Sequence, residues 1–168
     1  MTAGSQESRP LGGSHERARP SDATVFEHAG HAAFHHQLHG GEGKTSFQWY
    51  FLDQSRLPVA VQRWDLEPGA SEGMHTHGDE LPLEELYLVI DGEATMHIDG
   101  RPFHLRPGDA VRAPVNSEHD IVNTGDSTLS LVVVFGSPTP TPEEWSWSAM
   151  AAASRSAVAS DLEEPPIP

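Results

Sequence analysis

The sequence of 168 residues contains no cysteine, which excludes a disulfide, a thiolate-bound zinc ion and a nucleophilic thiol. Any metal site in this chain must therefore use histidine and carboxylate side chains. Cationic residues are also few, since 10 lysines and arginines stand against 25 aspartates and glutamates, for a formal net charge of −15. Such a charge repels phosphate backbones and anionic membrane surfaces, so we expect neither a nucleic acid nor a membrane as a partner.

Long apolar runs are missing as well. No stretch approaches the roughly 20 apolar residues of a membrane-spanning helix, and the N-terminal residues MTAGSQESRPLGGSHERARP lack the apolar core of a signal peptide. We therefore expect a cytoplasmic protein. The length and the apolar content of 36% fit one packed domain rather than two.

The two ends of the chain differ in composition from the middle. Residues 1–23 are rich in Ser, Gly, Arg and Pro and predict a flexible tail. Residues 137–168 begin with alternating prolines and predict an extension, in which 143–159 either form a short helix or stay disordered. The remaining residues, 24–136, are predicted to form the folded domain.

Within this domain, short alternating apolar runs are separated by turn signals such as Asp91-Gly92 and Asp99-Gly100. No helical period precedes residue 143, so the pattern predicts an all-β protein, an antiparallel sandwich or barrel. The predicted strands are 45–53, 58–67, 85–91, 93–99, 102–105, 110–113, 120–123 and 128–135.

Two histidines one residue apart, His75 and His77, mark the strongest candidate site. Alternate side chains of a strand share a face, so both rings point the same way, about 7 Å apart along the chain. If the next strand pairs antiparallel with this one through the loop GDELPLE, Glu85 reaches the same point. His119, at the start of the strand 119–123, is the candidate for a fourth ligand.

These residues resemble the two sequence motifs of the cupin superfamily. The first motif, Gly-x5-His-x-His, a short gap and Glu-x6-Gly, is matched by Gly69, His75, His77, Glu85 and Gly92. The second, Gly-x5-Pro-x-Gly-x2-His-x3-Asn, is matched by Gly108, Pro114, His119 and Asn123, with Asn116 in place of glycine. Asparagine tolerates the left-handed backbone that glycine serves there, so this departure is mild. We expect Asn123 to hydrogen-bond the backbone of a turn.

The gap in the first motif is longer than the family usually has, because seven residues separate His77 from Glu85. This length leaves three other candidates for the carboxylate ligand beside Glu85, namely Asp79, Glu80 and Glu84. The six residues before Gly92 favour Glu85, since they form the strand that must end in the turn.

The resemblance covers roughly residues 58–135 and implies a double-stranded β-helix, a jelly-roll barrel. It implies a divalent transition metal inside the barrel, held by His75, His77, Glu85 and His119. Fe(II) is our first choice of metal, with Zn, Mn, Ni or Cu as alternatives, because the ligand types alone do not choose among them. Cupins commonly dimerise through edge strands, so we expect a homodimer.

Four protein ligands on an octahedral ion leave two neighbouring positions for a bidentate substrate, or for substrate and dioxygen. We therefore expect a metal-dependent enzyme that acts on a small organic molecule, with an Fe(II) oxygenase as the first choice. A non-redox cyclase, isomerase or lyase is the second reading, since this compact chain also resembles the single-domain cupins of aromatic polyketide pathways. A non-catalytic ligand-binding cupin is the third.

Other candidates follow from the strand alternation. Tyr87 shares the predicted face of Glu85 and is either a catalytic acid or orienting group, or an aromatic of the barrel wall. Met74 either borders the substrate pocket or packs in the core.

The strand 58–67 offers two alternatives for the substrate. An inward Arg63 would bind a carboxylate, whereas an inward Gln62 with Trp64 would suit a neutral or aromatic molecule. The histidines between residues 28 and 39 include His28, His31 and His35 at helical spacing. We interpret them as a solvated segment, one member of which could border the barrel mouth.

Overall fold

The computed structural model describes residues 25–78 and 80–138. The predicted tail of residues 1–23 lies outside these ranges, as do Asp79 and the predicted helix of residues 143–159. No helix long and apolar enough to cross a membrane occurs among the described residues.

The described chain forms ten strands and no helix. All eight predicted strands are confirmed, one of them with the predicted ends, 110–113, and the other seven with somewhat different ends. Two further strands, β1 and β4, have only two residues each, too few for a periodic pattern. The strands are β1 Phe34–His35, β2 Thr45–Trp49, β3 Ala60–Leu66, β4 His75–Thr76, β5 Glu84–Asp91, β6 Ala94–Ile98, β7 Arg101–Leu105, β8 Ala110–Ala113, β9 Glu118–Asn123 and β10 Leu129–Gly136.

These strands build two antiparallel sheets. The larger has six strands in the order β1-β2-β3-β10-β5-β8, and the smaller has four in the order β4-β9-β6-β7. One buried apolar cluster contains side chains from both sheets, including Trp64 and Leu131 from the first and Met96 and Ile121 from the second. The predicted all-β jelly-roll fold is thereby confirmed.

The alternation of β3 decides between the two alternatives for its inner face. Gln62 and Trp64 are buried, whereas Arg63 and Asp65 lie on the opposite face. The alternative with an inward Arg63 is therefore wrong. Instead, the guanidinium group of Arg63 donates hydrogen bonds to the Asp65 carboxylate at 3.0 Å and to the Ser130 hydroxyl at 3.3 Å.

We expect Asp65→Asn to lower the free energy of unfolding by about 1 kcal/mol at neutral pH, a figure that allows for solvent screening of a pair on the outer face. Burial raises the pKa of Asp65, but hydrogen bonds from Arg63 and Ser130 outweigh it, so the pKa lies below its usual value. A lowered pKa stabilises the fold fully above the usual aspartate value and less as the pH falls through the lowered one. Urea unfolding of both proteins should therefore show a constant difference from pH 7 to about pH 5 that shrinks below about pH 4. A difference that grows on acidification would contradict this assignment.

Two asparagines of the second motif shape the turns around β9. Asn116 has a positive φ of 66°, which confirms the left-handed backbone expected at the glycine position, and its N–H donates to the His77 carbonyl at 2.9 Å. Asn123 is buried, and its amide donates to the carbonyls of Leu66 and Ser127 at 2.9 and 2.8 Å. It therefore joins the turn before β10 to the end of β3, as expected.

Candidate metal centre

Four predicted ligands come together inside the barrel. His75 lies on β4, His119 on β9 and Glu85 on β5, and His77 follows β4 directly. Each of the four offers one donor atom, and these atoms all lie within 4.8 Å of one another. This arrangement can hold a divalent metal ion.

The route by which Glu85 reaches the site differs from the expected one. Strand β4 pairs with β9, so that His75 and His119 are direct cross-strand partners. Strand β5 lies in the other sheet, between β10 and β8. The expected antiparallel pairing of the His75 strand with the Glu85 strand is therefore wrong, and Glu85 reaches the histidines from the opposite sheet.

The competing carboxylates occupy other positions. Glu84 forms an ion pair with Arg112 on the outer face, with Nη1 and Oε2 2.8 Å apart. Glu80 is exposed and borders a surface pocket of about 320 Å³ that opens beside His77. Asp79 lies outside the described residues.

Backbone carbonyls fix the orientation of two imidazole rings. Nδ1 of His75 lies 2.8 Å from the Gly73 carbonyl, and Nδ1 of His119 lies 3.0 Å from the Ser117 carbonyl. A hydrogen on each Nδ1 donates to these carbonyls, so Nε2 is the ring atom that each histidine presents to the cluster, as in many metal-binding histidines. Nε2 of His75 is buried and has no hydrogen-bond partner. A bound cation would satisfy this atom, so the donor set fits a metal.

Glu85 is the centre of charge in the cluster. Its Oε2 lies 2.8 Å from Nε2 of His119, and its Oε1 lies 3.6 Å from Nε2 of His77. Burial raises the pKa of Glu85, but hydrogen bonds from His119 and Tyr87 outweigh it and place the pKa below its usual value. Burial lowers the pKa of His75 to about 4. An ionised carboxylate beside a neutral imidazole is the combination that binds metal.

The contact between His119 and Glu85 shifts the pKa of His119 upward, opposite to its effect on Glu85. Burial lowers the pKa of His119, but the hydrogen bond to Glu85 raises it by more, so its net shift is upward. At a pH below this raised pKa, a metal ion that binds His119 displaces a proton.

Tyr87 is fully buried, and its hydroxyl group contacts two carboxylates. Its Oη lies 2.7 Å from Oε2 of Glu85 and 3.0 Å from Oε2 of Glu72. Burial raises the pKa of Tyr87 well above its usual value, which favours the phenol. These contacts make Tyr87 a positioning residue for Glu85, a role that the sequence analysis did not include.

One residue beside the centre, Glu72, was not predicted. Glu72 is 3% exposed, and its Oε1 lies 3.8 Å from Nε2 of His75. Burial and the neighbouring Glu85 raise the pKa of Glu72 well above its usual value when no cation is present. The only signal in the sequence is an acidic residue inside the first motif, between Gly69 and the histidine pair.

His39 is the member of the 28–39 segment that lies beside the centre, as the sequence analysis allowed for one of these histidines. Its ring stacks on that of His75 with centroids 3.6 Å apart, and it meets the ring of His77 edge-on at 5.8 Å. His28, His31 and His35 are exposed and lie in turns, loops and β1 rather than on one helix, so the helical spacing was misleading.

The remaining candidates for substrate binding differ in position. Gln62 and Trp64 are buried and satisfy each other, since Nε1 of Trp64 donates to Oε1 of Gln62 at 2.6 Å. Trp64 also packs edge-on against Tyr87 with centroids 5.8 Å apart, so this pair forms a wall beneath the centre. Met74 is 49% exposed, which excludes the alternative that it packs in the core.

Comparison with known proteins agrees with this geometry. The family model described as "Cupin domain" matches residues 62–135. The chain is 33% identical over 99 residues to an oxalate-binding protein of Thermotoga maritima, a match that covers 58% of this chain and 79% of that protein. The chain belongs to the cupin superfamily.

Two other matches place this cupin among distant relatives. It is 26% identical over 80 residues to auxin-binding protein 1 of Arabidopsis thaliana, which covers 42% of this chain and 38% of that protein. A crystal structure of a predicted oxalate decarboxylase from Thermotoga maritima superimposes with a TM-score of 0.58 at 24% identity, over 63% of this chain and 92% of that one. This second likeness concerns the fold alone.

Proposed function

We propose that this cupin holds a divalent metal ion and uses it to bind and oxidise a small organic molecule with dioxygen, with Fe(II) as the first choice. The observation that carries the proposal is the cluster of three imidazoles and one carboxylate with donor atoms within 4.8 Å, in which the buried Nε2 of His75 has no other partner. When bound, such an ion supplies Lewis acidity and, if it is iron, the activation of dioxygen.

The chain itself contributes orientation and charge. The carbonyls of Gly73 and Ser117 hold two imidazoles with Nε2 toward the ion. The hydroxyl of Tyr87 holds the carboxylate of Glu85 in place. Among the described residues no lysine or arginine is buried, so the metal would be the positive group that an organic acid meets inside the barrel.

A second candidate is metal-dependent binding of oxalate or another small dicarboxylate without oxidation. The specific observation in its favour is the similarity to the oxalate-binding protein of Thermotoga maritima over most of that protein. Two oxygen atoms of such a ligand would suit the two positions that four protein ligands leave on an octahedral ion.

Anaerobic purification followed by metal analysis tests the proposal. We expect about one divalent ion per chain, and oxygen uptake when the iron-loaded protein meets a member of a panel of small aromatic, neutral and carboxylic compounds. Oxalate binding measured by calorimetry, present only in the metal-loaded protein and without oxygen uptake, would support the second candidate instead. Turnover that needs zinc or manganese but no oxygen would contradict the proposed oxidation and support isomerase or lyase chemistry. A chain that binds none of these ions would remove every metal-dependent reading.

A further inference from the structure

Two carboxylates lie buried side by side in the barrel, and the four-ligand site uses only one of them. Glu72 and Glu85 are 3% and 5% exposed, and both place their Oε2 atoms within 3.0 Å of the Tyr87 hydroxyl. A hydroxyl group carries one hydrogen, so Tyr87 cannot donate to both carboxylates at once. Either a proton on Glu72 or a cation beside the two carboxylates makes this arrangement favourable.

The protein supplies no fixed cation for this pair. Buried charges in proteins are normally paired or coordinate a metal, because an uncompensated one costs several kcal/mol. No lysine or arginine is buried among residues 25–78 and 80–138. Nε2 of His75 lies 3.8 Å from Oε1 of Glu72, and Nδ1 of the same ring is already bound to the Gly73 carbonyl.

Glu72 is also held in position by its backbone. Its N–H donates to the Ile121 carbonyl at 3.0 Å, and the residue before it forms a bridge to Val122 of β9. With Oε2 on Tyr87, the other oxygen points to the same His75 nitrogen that serves the four-ligand cluster. Donor atoms of Glu72, His75 and His39 accordingly form a second group within 4.8 Å of one another.

We propose that Glu72 is a second carboxylate of the metal centre, which contacts the ion or its bound water and balances its charge. Three neutral imidazoles and two carboxylates then make the loaded centre electrically neutral. This inference rests on the proposed function only in requiring that a divalent ion binds. The inference predicts opposite effects on two affinities. The charge of Glu72 should strengthen the binding of the metal and weaken the binding of an anionic ligand to that metal.

The test compares Glu72→Gln with the matched control Glu84→Gln, which removes the same charge from the neighbouring outer face. Calorimetric titration with Mn²⁺ and Co²⁺ should give a dissociation constant at least tenfold higher for Glu72→Gln and an unchanged one for Glu84→Gln. At saturating Mn²⁺, Glu72→Gln should bind oxalate more tightly than the wild type. A residue that only supports the fold would weaken both equilibria, and the opposite signs separate the two roles.

Equal Mn²⁺ affinity in Glu72→Gln and the wild type would overturn the inference and leave the proposed function intact. Failure of the wild type to bind Mn²⁺, Co²⁺ or Fe²⁺ would remove both. Should Glu72→Gln not fold, Glu72→Asp keeps the charge on a shorter side chain and should retain Mn²⁺ affinity within a few-fold of the wild type. A Glu72→Asp protein that folds and loses Mn²⁺ more than tenfold would also count against charge balance.

Discussion

His119→Ala is expected to weaken the binding of a divalent metal by more than about 100-fold and to abolish any turnover that depends on it. His119 is 1% exposed, and its Nε2 is the closest nitrogen to the Glu85 carboxylate in the cluster, at 2.8 Å. Alanine removes one donor of four and leaves the buried carboxylate with one partner fewer. The larger part of the loss should therefore appear as metal affinity rather than as a change in substrate binding.

Metal content after dialysis against a defined concentration of Mn²⁺ measures this loss. His31→Ala is the matched control, because His31 is an exposed histidine in a turn, and it should keep the metal content of the wild type. Removing one partner of a buried charged pair also destabilises a fold, so a thermal melt must accompany the measurement. His77→Ala, at the more exposed side of the cluster, provides a second variant. Full metal content in both His119→Ala and His77→Ala would contradict a metal centre built from these four ligands.

Much of this arrangement was predictable because strand alternation is a local property. The residue spacing gave the eight longer strands, and it placed Glu85 and Tyr87 on one face and Glu84 on the other, as the structure has them. The left-handed backbone at Asn116 was also predictable from local sequence, since asparagine tolerates this conformation at a position where glycine is expected.

The partner of each strand was not predictable in this way. Alternation tells which side chains share a face, but not which sheet a strand joins, and β4 is too short to show its own pairing. The inner face of β3 was ambiguous because both faces carry polar and apolar residues. Its outer face became recognisable only when Arg63, Asp65 and Ser130 were seen to satisfy one another.

The positions of Glu72 and His39 depend on contacts between distant segments. His39 has a positive φ of 44°, and its segment packs closely on the loop of the first motif. A Cβ atom on Gly41 would lie 2.2 Å from the Ser71 carbonyl oxygen, and one on Gly43 would lie 2.8 Å from Cα of Ala70. In the sequence, such close backbone packing is marked only by the glycines, and a glycine does not identify the segment against which it packs.

Gly73 joins this close packing directly to the metal centre. Its φ is +101°, and a Cβ atom there would lie 2.5 Å from the His39 carbonyl oxygen and 2.6 Å from the backbone nitrogen of Gly41. Its own N–H donates to the Asp120 carboxylate at 2.8 Å, and its carbonyl accepts from Nδ1 of His75. One residue thus fixes the segment that carries His39 and the orientation of a metal ligand.

We expect Gly73→Ala to lower the free energy of unfolding by about 3 kcal/mol or more, because backbone strain and an unavoidable overlap each cost about 1 to 3 kcal/mol. Both atoms that the new methyl group meets belong to backbone, so no side-chain rotation relieves the overlap. Movement of the loop would also turn the ring of His75, and metal affinity should fall together with stability.

Gly100→Ala is a control that separates the cost of backbone strain from the cost of the overlap, since Gly100 has a positive φ of 75° and a Cβ atom there would meet nothing within 4 Å. That control should lose only about 1 kcal/mol, from strain alone, and keep its metal affinity. Urea unfolding and Mn²⁺ titration of the two variants give both quantities, and equal losses in the pair would show that the contact between the His39 segment and the first motif has no energetic weight.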